Sequence, residues 1–105
     1  RLKPDADREA LAAALADVLR QIPSIRRFHI GRRVRTGRDY ERAMIEDLEY
    51  GAVIEFDDMS GLTAYFEHPA HDELSARFVS AMAAGAIYDY EMVDGTRMGD
   101  LLAGS

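Results

Sequence analysis

Residues 57–72 read D-D-M-S-G-L-T-A-Y-F-E-H-P-A-H-D and decide how the rest of the chain is arranged. Two aspartates open the stretch, and either can cap a helix by accepting a bond from a free backbone N–H. Met59–Phe66 then carries a helical pattern. His68-Pro69-Ala70-His71 breaks it. The residue before a proline avoids the helical region, while proline itself suits the first turn of a new helix. Leu74, Phe78 and Met82, with Ala81 beside them, give the stripe of that second helix, and Gly85 is its expected C-cap.

Just upstream, Gly51–Phe56 (G-A-V-I-E-F) reads as a strand, with Ala52, Ile54 and Phe56 on one side and Val53 and Glu55 on the other. Ile25–Arg35 alternates as well: Phe28, Ile30 and Val34 share one parity, Arg27, His29, Gly31 and Arg33 the other. Gly31 marks a bulge or a close backbone approach. Between the two strands, 36–39 is a turn, and 40–50 fits a short amphipathic helix or an ordered loop. At the start, Asp5 or Asp7 caps a helix whose stripe is Leu11, Leu15, Val18, Leu19 and Ile22, and Pro23 ends it. Downstream, Ala86–Val93 (A-I-Y-D-Y-E-M-V) alternates with apolar residues on both sides and is expected as a strand covered on both faces. Asp94-Gly95 is a turn.

Residues 1–95 are expected to form one domain and 96–105 a tail. Arg1–Lys3 is the end of something extended. With a strand before Pro4 the order is β-α-β-β-α-β, an α+β, ferredoxin-like arrangement with an antiparallel sheet. One face of that sheet needs a cover besides the helices, and a second copy, packed sheet to sheet, is the simplest.

Composition narrows the function. The net charge is −6 over 105 residues, which argues against general nucleic-acid binding. Cysteine is absent, so a thiol nucleophile, a thiolate metal site and a disulfide framework are excluded. No apolar run approaches the roughly 18 residues needed to span a bilayer, and a soluble cytoplasmic protein is expected. His68 and His71 are three residues apart, but no third ligand of obvious placement accompanies them, so neither a metal nor a cofactor is expected. The basic group Arg26, Arg27, Arg32, Arg33, Arg35 and Arg38 reads as a solvated strand edge.

The opening R-L-K-P, the helix ending I-P-S-I, F-H-I-G, V-I-E-F, Y-F-E-H-P-A-H-D and the closing Y-D-Y-E together resemble the stress-responsive A/B barrel, or Dabb, domains. The resemblance implies a homodimeric α+β barrel with a pocket between the sheet and helices of each protomer. Most members have no assigned reaction. In a polyketide cyclase of that family, a tyrosine and a histidine of the same Y-x-x-H-P-x-H element are the catalytic pair, and these fall on Tyr65 and His71. Tyr50 stands where that enzyme has a further histidine.

On that basis His71 is the candidate base and Tyr65 the candidate oxyanion donor. Phe28, His29, Tyr50 and Tyr88 are candidate ligand contacts for a small apolar or aromatic molecule. The competing structural roles are a backbone clamp for His68 and His71, core packing for Tyr65, and the dimer seam for His29 and Tyr88. The function so expected is small-molecule binding, with cofactor-independent cyclase-like chemistry in reach. Alternatives are a non-catalytic homodimeric binding or assembly module and a small monooxygenase of the dimeric α+β barrel type.

Overall fold

A computed structural model describes residues 1–103. Helix α1 (Arg8–Arg20) starts where the Asp7 carboxylate accepts the Ala10 N–H at 3.0 Å, and it stops two residues short of Ile22-Pro23. It buries Leu15, Val18 and Leu19, with Ile22 just beyond. Strands β1 (Arg27–Arg32) and β2 (Tyr50–Glu55) form an antiparallel pair in which Phe28 faces Ile54, His29 faces Val53 and Gly31 faces Gly51. The ladder runs straight through Gly31, so the expected bulge is not there; Arg26 and Arg27 instead share the position opposite Glu55, where the Arg26 N–H bonds the Glu55 carbonyl at 2.8 Å.

The connector 33–49 is an ordered loop with one 3-10 turn, Asp39–Ala43. Asp47 holds it by accepting from Arg33 at 2.6 Å and from Arg35 at 2.8 Å. Gly37 supplies the one positive φ, 71°, found among the described residues. The basic group is thus largely matched: Arg26 pairs with Asp57 at 2.6 Å and Arg27 lies 3.9 Å from Glu55.

Helix α2 (Met59–Glu67) begins at Asp58, which accepts from the Gly61 N–H at 3.0 Å and from the Ser60 hydroxyl at 2.6 Å. These bonds hold the Asp58 carboxyl below the usual aspartate range. Helix α3 (Pro69–Ala81) follows after the one extended residue His68. It buries Ala70 and Leu74 against α1 and α2. All three helices lie on the Phe28–Ile54 side of the hairpin, and Tyr65, Leu74, Val18 and their neighbours form the core. Ile30 and Val34, expected on the covered side, are 53% and 77% exposed because the helices cover only the Phe28 end of the hairpin.

Two expectations at the far end of the chain need correction. α3 ends at Ala81 with Met82 as its C-cap, not at Gly85. A Cβ at Gly85 would lie 2.8 Å from the end of the Met82 side chain, which is flexible enough to move aside. Residues 86–93 do not form a strand within the protomer, where the sheet has two strands among the described residues. A strand is defined by its ladder, and alternation alone cannot provide one. The N-terminal residues bond to the end of α3: Leu2 bridges Met82, and the Lys3 N–H bonds the Ala81 carbonyl at 2.8 Å. Asp94-Gly95 is a turn as expected, with Asp94 accepting from the Thr96 N–H at 2.9 Å. In the tail, a short helix α4 (Met98–Ala103) packs on the turn before it; the last two positions of the expected 96–105 tail, 104 and 105, lie outside the described residues.

The protomer is under-buried. Its radius of gyration is 16.0 Å, against about 13 Å for a compact chain of this length. Its accessible surface is 8357 Å², about 2,500 Å² more than a compact monomer of this mass would expose.

Candidate functional site at the helix break

His68 and His71 have divided the work of the H-P-A-H break. His68 is the clamp: its Nδ1 accepts the Ala70 N–H at 3.0 Å and so caps α3. The accepting nitrogen carries no proton, which places the ring hydrogen on Nε2. Its carbonyl also accepts the His71 N–H at 2.9 Å. With those contacts the break is already satisfied, and the His71 side chain takes no part in it. Among the described residues neither imidazole nitrogen of His71 has a hydrogen-bond partner.

Tyr65 sits in the last turn of α2 with its ring in the core, 8% exposed. The His71 ring meets it edge-on, with centroids 4.6 Å apart. Phe56 and Phe66 flank Tyr65 at 5.1 and 5.4 Å, and Phe66 also touches His71 at 5.3 Å. The cluster exists because Phe56 leaves β2 where α2 begins, and because His71 lies one turn into α3, back over the end of α2. No protein group among the described residues bonds the Tyr65 hydroxyl. Burial, and then the charge of Asp89 nearby, raise its pKa above the ordinary tyrosine value, so the phenol stays protonated and serves as a donor. The arrangement sets one proton acceptor beside one proton donor in an aromatic wall.

The other candidates do not converge on this pair within one protomer. Phe28 faces the helices and packs on the core, while His29, the next residue in the strand, faces away from it and is exposed. Tyr50 is engaged by Arg8, whose guanidinium also bonds Glu49 at 3.2 Å; both partners raise the Arg8 pKa, Tyr50 the more. Tyr88 is 73% exposed, its ring 6.3 Å from that of Tyr90. Two open clefts lie elsewhere. One of about 330 Å³ runs between the start of α1 and the end of α3, past Lys3, Asp7, Leu11 and Arg77. One of about 230 Å³ lies in the connector, by Arg35, Glu41 and Met44. Neither is lined by Tyr65 or His71. Among the described residues no group of three histidines, cysteines or carboxylates is placed to hold a metal ion, and no helix is long and apolar enough to cross a membrane. Asp89 is the residue the sequence did not single out; its neighbour Tyr88 drew attention as an aromatic, whereas proximity to a tyrosine 24 positions earlier leaves no trace in spacing.

The model of the stress-responsive A/B barrel domain matches residues 1–92. The chain belongs to this family. The Dabb domain is a dimeric α+β barrel, and the two-stranded sheet with helices on one face is the core of that fold as one protomer presents it. Among solved structures, the chain is similar to a dimeric protein of unknown function and ferredoxin-like fold from Bacteroides fragilis. The match covers 88% of both chains with a TM-score of 0.54 at 20% identity, which supports the ferredoxin-like fold. No curated protein matches this Dabb chain.

Proposed function

We propose that the protein works as a homodimer that binds a small apolar or aromatic molecule against the Tyr65–His71 pair. The observation that carries this reading is the division of labour at the break. His68 meets the structural need, which leaves the polar atoms of His71 and Tyr65 without partners among the described residues although both rings are held in an aromatic cluster. Neither the Tyr65 hydroxyl nor an imidazole nitrogen of His71 is sealed in the core, so the two rings are held in place while their polar atoms stay open to a ligand. The chemistry on offer is proton transfer beside a carbonyl: His71 takes the proton from the adjacent carbon, and the Tyr65 hydroxyl donates to the enolate oxygen that forms. That chemistry needs no cofactor, and a cyclase-like C–C bond closure is its natural use. The homodimer is supported by the uncovered surface of the protomer and by the dimeric neighbour. A cytoplasmic setting is part of the reading and is supported by the absence of cysteine.

A panel of hydroxylated aromatic ketones, titrated against protein labelled with ¹⁵N at histidine, tests the reading. Binding is expected to move the ring-nitrogen resonances of His71 while leaving those of His68 in place, and His71→Ala is expected to weaken binding at least about tenfold. If His71 stays still while a compound binds, or if His71→Ala binds as tightly as the parent, the pair is not the site.

A further inference from the structure

The larger of the two open clefts holds about 330 Å³ between the chain leading into α1 and the last turns of α3. Its walls are pinned. The Lys3 N–H bonds the Ala81 carbonyl at 2.8 Å, and the Ala6 N–H bonds the Lys3 carbonyl at 3.1 Å. The Asp7 carboxylate then fixes the first turn of α1 through the Ala10 N–H at 3.0 Å. The space exists because the side chains around it are short. Ala6, Ala10 and Ala81 leave room that longer side chains would fill, and Leu11 adds an apolar contact. A volume of this size falls at the lower end of the range for small-molecule sites, roughly 300–1,000 Å³.

Charge narrows what fits. Lys3 and Arg77 bring positive charge to the lining, and Asp5 and Asp7 bring negative charge. Arg77 is shared with Glu73 at 3.1 Å, and Asp7 is shared with the helix it caps. The Lys3 ammonium and the Asp5 carboxylate pair with no described residue, although only one residue separates them. A simple anion in the cleft would meet both aspartates, and a simple cation would meet Lys3 and Arg77. A small molecule carrying both charges a few bonds apart matches each sign with its opposite.

We infer that this cleft binds a free α-amino acid with an aliphatic side chain. The carboxylate goes to Lys3, the ammonium to Asp5, and the side chain lies over the alanines and Leu11. Neither Tyr65 nor His71 lines the cleft, so the site is separate from that pair and does not depend on the function proposed above.

The test is isothermal titration of the parent protein with L-leucine, isocaproate and isoamylamine, which share one side chain and differ in charge. L-Leucine is expected to bind with a Kd of about 1 mM or tighter, and each single-charge analogue at least about tenfold more weakly. Lys3→Gln and Asp5→Asn are each expected to weaken leucine binding at least about tenfold. Both side chains are exposed, so the variants fold, which circular dichroism checks. Ala10→Leu changes no charge; it fills the cleft from an exposed helical position and is expected to abolish binding. His71→Ala is expected to bind leucine as the parent does. No binding at about 10 mM leucine would overturn the site. So would analogues that bind as well as leucine, parent-like binding by Lys3→Gln, Asp5→Asn or Ala10→Leu, or binding that disappears with His71.

Discussion

Removing one oxygen atom, Tyr65→Phe, separates a ligand-facing tyrosine from a structural one. The ring contributes the packing: it is 8% exposed and touches Phe56, Phe66 and His71 at centroid distances of 5.1, 5.4 and 4.6 Å. Tyr65→Phe keeps all of that. The hydroxyl has no partner among the described residues, so its loss strands no buried donor or acceptor. A stability change within about 0.5 kcal/mol is expected, a Tm shift of about 3 °C or less. A structural hydroxyl would behave otherwise, costing about 1 kcal/mol for the bond itself and up to about 3 kcal/mol with its partner left unsatisfied. Tyr65→Ala provides the scale. Removing a buried aromatic ring costs about 3–5 kcal/mol, which lowers Tm by about 20 °C in a domain of this size. Differential scanning fluorimetry at fixed protomer concentration reads both, since dimer stability depends on concentration. In the ketone titration Tyr65→Phe is expected to lose at least about tenfold in affinity or turnover. A Tyr65→Phe protein destabilised by more than about 1.5 kcal/mol would refute the reasoning, because the hydroxyl would then belong to the fold.

Leu74→Ala, at a side chain 2% exposed between α1 and α2, is expected to cost about 2–5 kcal/mol in urea unfolding with an unchanged m-value. His68→Ala is expected to cost about 1 kcal/mol through the lost cap of α3, and His68→Asn to recover most of it, since asparagine caps as well; equal losses in both would show that the imidazole does more than cap. Asp47, Asp58, Asp94 and Glu41 all have folded pKa values below 3.8 or 4.5, their ordinary ones, the first held down chiefly by Arg35 and the others by hydroxyl and backbone donors. Each therefore adds stability that is present above that ordinary range and is lost as pH falls through the lower folded value, so acid unfolding followed by circular dichroism is expected to steepen below about pH 4. Tyr65 has the opposite sign: its raised pKa adds stability that is lost at high pH. In an ultraviolet titration one of the five tyrosines is expected to ionise after the rest, and Tyr65→Phe is expected to remove that late step.

Local chemistry was legible in the residues themselves. Asp7 and Asp58 cap where their type and position said a cap was needed, Asp94-Gly95 turns as expected, and Pro69 opened α3 after an extended residue because its ring constrains both itself and its neighbour. Strands β1 and β2 followed from alternation, and the family followed from motifs spread along the whole chain. Two things depended on tertiary placement. Alternation in 86–93 named a strand, but a strand's hydrogen bonds lie in another segment, and no local pattern says whether that segment is within reach. Likewise H-P-A-H offered two histidines for two roles. Which one capped the helix was decided by where the Nδ1 of His68 lies relative to the Ala70 N–H, and the Tyr65 ring took the other because α3 folds back over α2. The sequence determined what each residue could do, since capping and alternation act over a few bonds; only the packed chain decided which ones were left free to do it.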